Sequence, residues 1–377
     1  MDKQLFVTTI PHFSETNLNS FCWFLEYGLS DELRNFASAL NLNEKLNIRV
    51  YSEEFVLKRP KYSSVQCKRY DLTYAIRIYV PIELIEEGTV NEYLAFFGEI
   101  PLMTEEGTFI INGCERVIIN QIIRSPGIYY RRETQEKTLQ YSATLISDRG
   151  SWLKFEFETG TVQIRLNKAT TVDFYHLLET CGITNFDPST KFNLAILNKS
   201  IQQTSISDFD TNLLTKNLTN NQNINFDSNK GSEDNYLQIF NEKVYSLGKI
   251  GRKKLNSRLG LSIPDSITRV TIDDVIAISN YLVDLHANLG ELDDIDNLRN
   301  RRVRSIGELL QIQYGIGLSR LERSINERLM ITNSTAFKVA TIINPKPIIA
   351  SIKEFFGSSQ LSQFMDQTNP IASLTHK

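Results

Sequence analysis

Between residues 17 and 40, apolar side chains recur at steps of three and four: Leu18, Phe21, Phe24, Leu25, Leu29, Leu33 and Phe36. That spacing predicts a helix with one face against a core. From Val50 the period shortens to two. In LTYAIRIYVPIELI, apolar and polar residues alternate through Ala75, Arg77 and Tyr79, which predicts a half-buried strand. GTFIINGCERVII sets two β-rich runs around Asn112-Gly113, a pair that tolerates positive φ and predicts a hairpin. RSPGIYYRR predicts a turn at Pro126-Gly127. Strands follow at YSATLISDRGSWLKFEFE and TVQIRL, then a short helix in TTVDFYHLLETCG stopped by Gly182.

The pattern then fades. Residues 185–236 are rich in Asn, Ser, Thr and Asp and read as an extended polar insert. LGKIGRKKLNSRLGLSIP reads as a basic loop. TIDDVIAISNYLVDLHANLG predicts a helix capped by Thr271, with Asp273 and Asp274 facing the dipole and Gly290 as the stop. Its expected buried stripe is Val275, Ile278, Leu282, Leu285 and Leu289. A second helix is expected from Ser305 to Leu329, softened at Gly315 and Gly317, and a third in KPIIASIKEFFG, ending at Gly357. Strands and helices in separate runs predict an α+β, multidomain, mixed architecture.

Composition narrows this picture. At 377 residues, two or three domains are expected. A hydrophobic share of 41% is enough for real cores. The net charge of −3 argues against wholesale polyanion binding and leaves room for local basic surfaces. No run approaches the roughly 20 apolar residues of a membrane span. The start, MDKQLFVTTIPHF, has neither a signal-type apolar core nor an Arg/Ser-rich presequence, so the protein is expected to stay where it is made. Cys22, Cys67, Cys114 and Cys181 do not have the spacing of a zinc site and read as buried free thiols.

The densest polar constellation is DDIDNLRNRRVR, Asp293 to Arg304. Three carboxylates precede Arg299, Arg301, Arg302 and Arg304. One reading is nucleic-acid contact, with guanidiniums on phosphates or guanine edges and a carboxylate accepting from a base. The other is a salt-bridged loop. GRKKLNSR is a solvated basic run or a phosphate contact. Arg124 in RSPG and Trp152 in RGSW lie near turns, where they either stack on a base or join a core. The sequence holds no phosphate-binding glycine loop, no acidic cluster suited to two magnesium ions and no Ser/His/Asp pattern.

Four long stretches together carry a resemblance: GEIPLMTEEGTFIINGCERVIINQIIRSPGIYY, RGSWLKFEFE, GELDDIDNLRNRRVRSIGELLQIQYGIGLSRLERSINERL and INPKPIIASIKEFFGSSQLSQFMDQTNPIASLTHK. In order and extent they resemble the N-terminal part of the β subunit of bacterial-type DNA-directed RNA polymerase, plastid versions in particular. The resemblance implies a protrusion domain from 10–131 that returns at 299–355. It also implies an inserted lobe at 132–298 and the start of the fork region at 356–377. A chain that stops there is expected to be the N-terminal piece of a β subunit, either a separately encoded half or part of a longer sequence.

The same resemblance implies a transcription role without chemistry of its own. Arg124, Trp152, Ile295, Asp296 and Arg301 match a pocket that meets non-template bases. Asn297 and Arg299 stand where the family has His and Gly. Arg116, Ile119, Gln363, Phe364, Asp366 and His376 match a second pocket beside the nascent RNA, where rifamycins bind. No cofactor is expected in this chain; Mg2+ would be held mainly by the β′ subunit. Implied partners are the β C-terminal half, β′, α subunits, a sigma factor, DNA, RNA and ribonucleoside triphosphates, with no membrane. The implied setting is the plastid or, failing that, a bacterial cytoplasm. The alternative is a stand-alone or decayed DNA-binding or interaction module.

Overall fold

The computed structural model describes residues 14–41, 48–86, 89–135, 138–158, 161–165, 171–174, 177–178, 240, 245–287, 289–331 and 343–377. The polar segment 185–236, Cys181 and most of the helix expected near 171–182 lie outside them. Helices and antiparallel sheets are mixed, as an α+β class requires. The chain divides into two units, one made of residues 1–122 and 303–377 and one of 123–302.

In the first unit, the predicted N-terminal helix runs as Glu15–Trp23, a π-helical turn at Phe24–Gly28, and Leu29–Asn41. The wider turn inserts one residue and shifts the apolar stripe. Phe21, Phe24, Leu29, Leu33, Phe36 and Leu40 thereby share the core. The long hairpin Ala75–Glu86 and Thr89–Pro101 anchors a four-stranded sheet. Its alternate residues Ile76, Ile78, Val80 and Ile82 are buried. The register slips between Ile78 and Tyr79, which face Gly98 and Phe96, so Phe97 bulges. The second hairpin turns as its sequence predicts, with Asn112 at φ 48° and Gly113 at φ 79°.

The helix Ile306–Ile331 is unbroken through Gly315 and Gly317, which corrects the expected softening. These glycines serve packing instead. A side-chain carbon at Gly317 would lie 2.9 Å from the Ile348 Cα, on the helix Lys346–Ser358 that crosses there. The Ser351 hydroxyl donates to the Gln313 carbonyl across the same crossing at 2.8 Å. No helix among the described residues is long and apolar enough to cross a membrane.

The second unit is a five-stranded antiparallel sheet. Its order is Thr171–Asp173, Thr161–Arg165, Leu153–Glu158, Thr138–Ile146, Gly127–Gln135. Two helices cover it, Gly248–Leu259 and Ile272–His286. The first corrects the expected basic loop. Gly251 closes on Pro126, Leu255 enters the core, and Gly260 ends the helix in the left-handed region at φ 66°. Arg252 on this helix is fully buried, donating to both Asp274 carboxylate oxygens at 2.7 and 2.8 Å and to the Ile267 carbonyl at 2.7 Å. The second helix begins on a Thr271–Asp274 capping box. It stops at His286 rather than at Gly290, so Leu289 lies past its end and is exposed. The described cysteines are free; Cys67 is buried, whereas Cys22 and Cys114 are at the surface, against expectation.

Candidate nucleic-acid interface

The second unit assembles the predicted base-contacting residues from three separate stretches. Strand Gly127–Gln135 lies at the sheet edge, and the loop after the Ile272–His286 helix pairs with it. Asp293 N–H donates to the Tyr130 carbonyl, and Tyr130 N–H donates to the Asp293 carboxylate, both at 3.0 Å. Arg258 clamps the same loop, donating to Asp293 Oδ1 at 3.2 Å and to the Glu291 carbonyl at 2.7 Å.

Ile295 follows, and it is buried with Tyr129 and Ile146. Its part is to anchor the loop from beneath. The Asp294 carboxylate accepts from Asp296 N–H at 2.9 Å, and Asn297 Oδ1 accepts from Arg299 N–H at 3.0 Å. Such side-chain turns hold a loop that has no regular ladder. Ser125 N–H then donates to the Asn300 carbonyl at 2.9 Å, and the Tyr129 hydroxyl donates to Ser125 O at 2.7 Å. Burial raises the Tyr129 hydroxyl above its ordinary pKa, so it remains a neutral donor.

These bonds bring the backbone of RSPG alongside that of the Arg-rich strand. Arg301 donates to Asp296 Oδ1 at 2.7 Å, and the Asp296 side chain is 76% exposed. The Arg124 guanidinium lies 5.5 Å from the centre of the Trp152 ring, and Trp152 is 50% exposed. Four of the five predicted residues thus offer polar or aromatic surface, while Ile295 supports them.

Two further candidate contributors were only weakly signalled by the basic run GRKKLNSR. Lys254 and Arg258 lie one helical turn apart on Gly248–Leu259, and the stem of Lys254 runs past Gly127. The spacing becomes visible once the basic run is treated as a helix.

In the first unit, the other predicted group surrounds the three-stranded sheet Phe109–Ile111, Cys114–Ile118 and Ser362–Phe364. Arg116 faces Phe364 across the ladder, with its guanidinium 4.2 Å from the ring centre. Its Nη1 donates to the Phe356 carbonyl at 2.8 Å. Ile119 N–H donates to the Leu361 carbonyl at 2.9 Å. His376 accepts at Nδ1 from Asp366 N–H at 3.1 Å, which leaves Nε2 to donate to Gln363 Oε1 at 3.2 Å. The Asp366 carboxyl is held below its usual range, first by the Thr368 hydroxyl and then by the Thr368 N–H. Gln363, Asp366 and His376 therefore form one linked set, and Arg116 and Phe364 a neighbouring one on the same strands.

Among the described residues no three His, Cys, Asp or Glu side chains converge to hold a metal ion. The acidic run does not fit Mg2+, because Asp293 and Asp296 are each committed to an arginine and Asp294 to a backbone N–H.

Comparison with known proteins bears on this arrangement. The family model RNA polymerase Rpb2, domain 2 matches residues 124–304. The DNA-directed RNA polymerase subunit beta of Guillardia theta is 45% identical over 374 residues, covering 98% of this chain and 34% of that protein. The chain is homologous to the DNA-directed RNA polymerase β subunit. The β subunit of Rhodomonas salina is likewise 45% identical, covering 99% of this chain, and that of Synechococcus elongatus 44%, covering 98%. The chain spans about a third of the length of these β subunits. The resemblance read from its motifs is borne out.

Proposed function

We propose that this chain forms the N-terminal, non-catalytic portion of the β subunit in a plastid-type DNA-directed RNA polymerase. The residue group 123–302 would be the lobe, expected near 132–298. The remainder would be the protrusion, expected at 10–131 and 299–355, with residues 356–377 opening the fork region. Together they would form the upper jaw of the DNA cleft. One observation carries this reading: the matched family domain, 124–304, falls on a structural unit that also holds all five base-contact candidates.

The geometry suits an unpaired base. Trp152 offers an exposed ring for stacking, and Arg124 holds positive charge over that ring. Base–aromatic stacking contributes about 1–3 kcal/mol. The Asp296 carboxylate accepts from an amino or imino N–H of guanine, with Arg301 moving from Asp296 to a phosphate. The set around Arg116, Ile119, Gln363, Phe364, Asp366 and His376 would line the path of nascent RNA.

Nucleotidyl transfer from ribonucleoside triphosphates, with Mg2+ held mainly by β′, would then belong to the assembled enzyme. Its other members would be the β C-terminal half, α subunits and a sigma factor, in a plastid or a bacterial cytoplasm. The test is co-purification followed by transcription. A tagged chain is expected to recruit proteins carrying the β C-terminal half and β′. In that complex, Asp296→Ala is expected to change pausing and open-complex lifetime on some template sequences and spare others. Failure to recruit would leave a stand-alone binding module, and a uniform response across templates would remove the base-contact role.

A further inference from the structure

The arginines around the Asp293–Arg304 loop are almost all committed. Arg252 holds Asp274, Arg258 holds Asp293, Arg301 holds Asp296, Arg302 holds Asp148, and Arg304 holds Glu308. Among the described residues, Lys254 and Arg299 are cations of this region with no carboxylate partner.

They flank the same turn: Arg299 precedes Asn300, whose carbonyl accepts from Ser125 N–H of RSPG at 2.9 Å. Lys254 is half-buried, and its stem packs so tightly on the RSPG turn that a side-chain carbon at Gly127 would lie 3.3 Å from Lys254 Cβ. Gly127 itself has φ 143°, a conformation few other residues adopt. The Lys254 ammonium is held below its ordinary pKa, first by burial and then by the charge of Arg299. Two like charges thus flank one turn with no carboxylate paired to either, an arrangement that an anion relieves.

We infer that Lys254 and Arg299 seat a phosphodiester group of a single DNA strand, next to the RSPG turn whose Arg124 carries Trp152. This rests on the base-contact reading above, which supplies the strand. The seat fixes where the strand runs and carries no sequence information. Arg124, Trp152, Asp296 and Arg301 then meet the base, while Lys254 and Arg299 hold its backbone.

Fluorescence anisotropy of a labelled single-stranded DNA with the full 377-residue chain tests it. Each phosphate contact contributes about 0.7 to the slope of log affinity against log salt. Lys254→Gln with Arg299→Gln is expected to shrink that slope by about 1.4, and the exposed Arg299→Gln alone by about 0.7. The affinity gap between wild type and double variant should then narrow about sevenfold between roughly 50 and 200 mM salt. Base preference, read from strands of different sequence, should persist in both variants.

An unchanged slope in Arg299→Gln and in the folded double variant overturns the inference. So does orthophosphate, at matched ionic strength, weakening strand binding equally in wild type and double variant, because competition at the seat requires Lys254 and Arg299. Trp152→Ala and Asp296→Ala separate the two claims. Base preference lost in these variants with the salt slope unmoved by Lys254 and Arg299 leaves the base contact and removes the seat. The reverse pattern removes the base contact and leaves the seat.

Discussion

Arg116 and Arg301 were both predicted to contact nucleic acid, and their surroundings differ in kind. Arg116 lies between paired strands, gives a hydrogen bond to the Phe356 carbonyl and lies over Phe364. Arg301 reaches one carboxylate, Asp296, which is largely exposed. A guanidinium bonded to its own backbone supports the local fold, and a ligand must disrupt that fold to recruit it. An exposed ion pair contributes about 0–1 kcal/mol, so its members exchange partners readily. Residues aligned with one kind of pocket can therefore be committed in one region and available in another.

The largest test lies in the buried interior of the same unit. Asp274→Ala would leave the buried Arg252 guanidinium without its counterion, at a cost of about 3–5 kcal/mol. Urea unfolding should show the loss, and the double variant Arg252→Met with Asp274→Leu should recover most of it. A small effect from Asp274→Ala would mean that this pair does not support the unit.

Next in size, Arg116→Ala removes charged hydrogen bonds to backbone, each of about 1.5–3 kcal/mol, whereas Arg301→Ala should cost no more than about 1 kcal/mol. Equal losses in thermal unfolding would erase the distinction between the two sites. Gly317→Ala should cost about 1–3 kcal/mol, because the new carbon meets the Ile348 backbone and the helices must separate. That substitution should leave DNA binding by 123–302 unchanged, and a loss of binding would show that this helix crossing supports the exposed site.

The smallest effect is pH-dependent. The depressed pKa of Asp366 means that its turn with Thr368 is favoured above the ordinary carboxylate range. That contribution fades as pH falls through the lower, folded value. Hydrogen exchange at the Thr368 amide should rise only in acid, and Asp366→Asn should flatten the profile. An unchanged profile in Asp366→Asn would assign the acid response to another group.

Much of the fold was legible because it depends on local rules. The Asn112-Gly113 hairpin follows from two residues that tolerate positive φ, and the Thr271 cap from a hydroxyl and a carboxylate three residues apart. The misread elements involve distant partners. Gly315 and Gly317 lower helix propensity, but close packing on Lys346–Ser358 and the N-terminal helices keeps the helix continuous. GRKKLNSR is locally too charged to suggest a core, because Asp274, which buries Arg252, lies far along the chain. The same limit applies to the site. Motif order identified Arg124, Trp152, Ile295, Asp296 and Arg301 together, but not that Ile295 faces inward while Asp296 and Trp152 face solvent.

By itself, the sequence determined the periodicities, the turns, the cap and the kinship with RNA polymerase β subunits. Each of these is written in neighbouring residues or in the order of motifs. The tertiary structure alone decided which charges are committed and which remain open. That depends on electrostatic partners brought within about 3–4 Å by folding, and separation along the chain does not encode such distances.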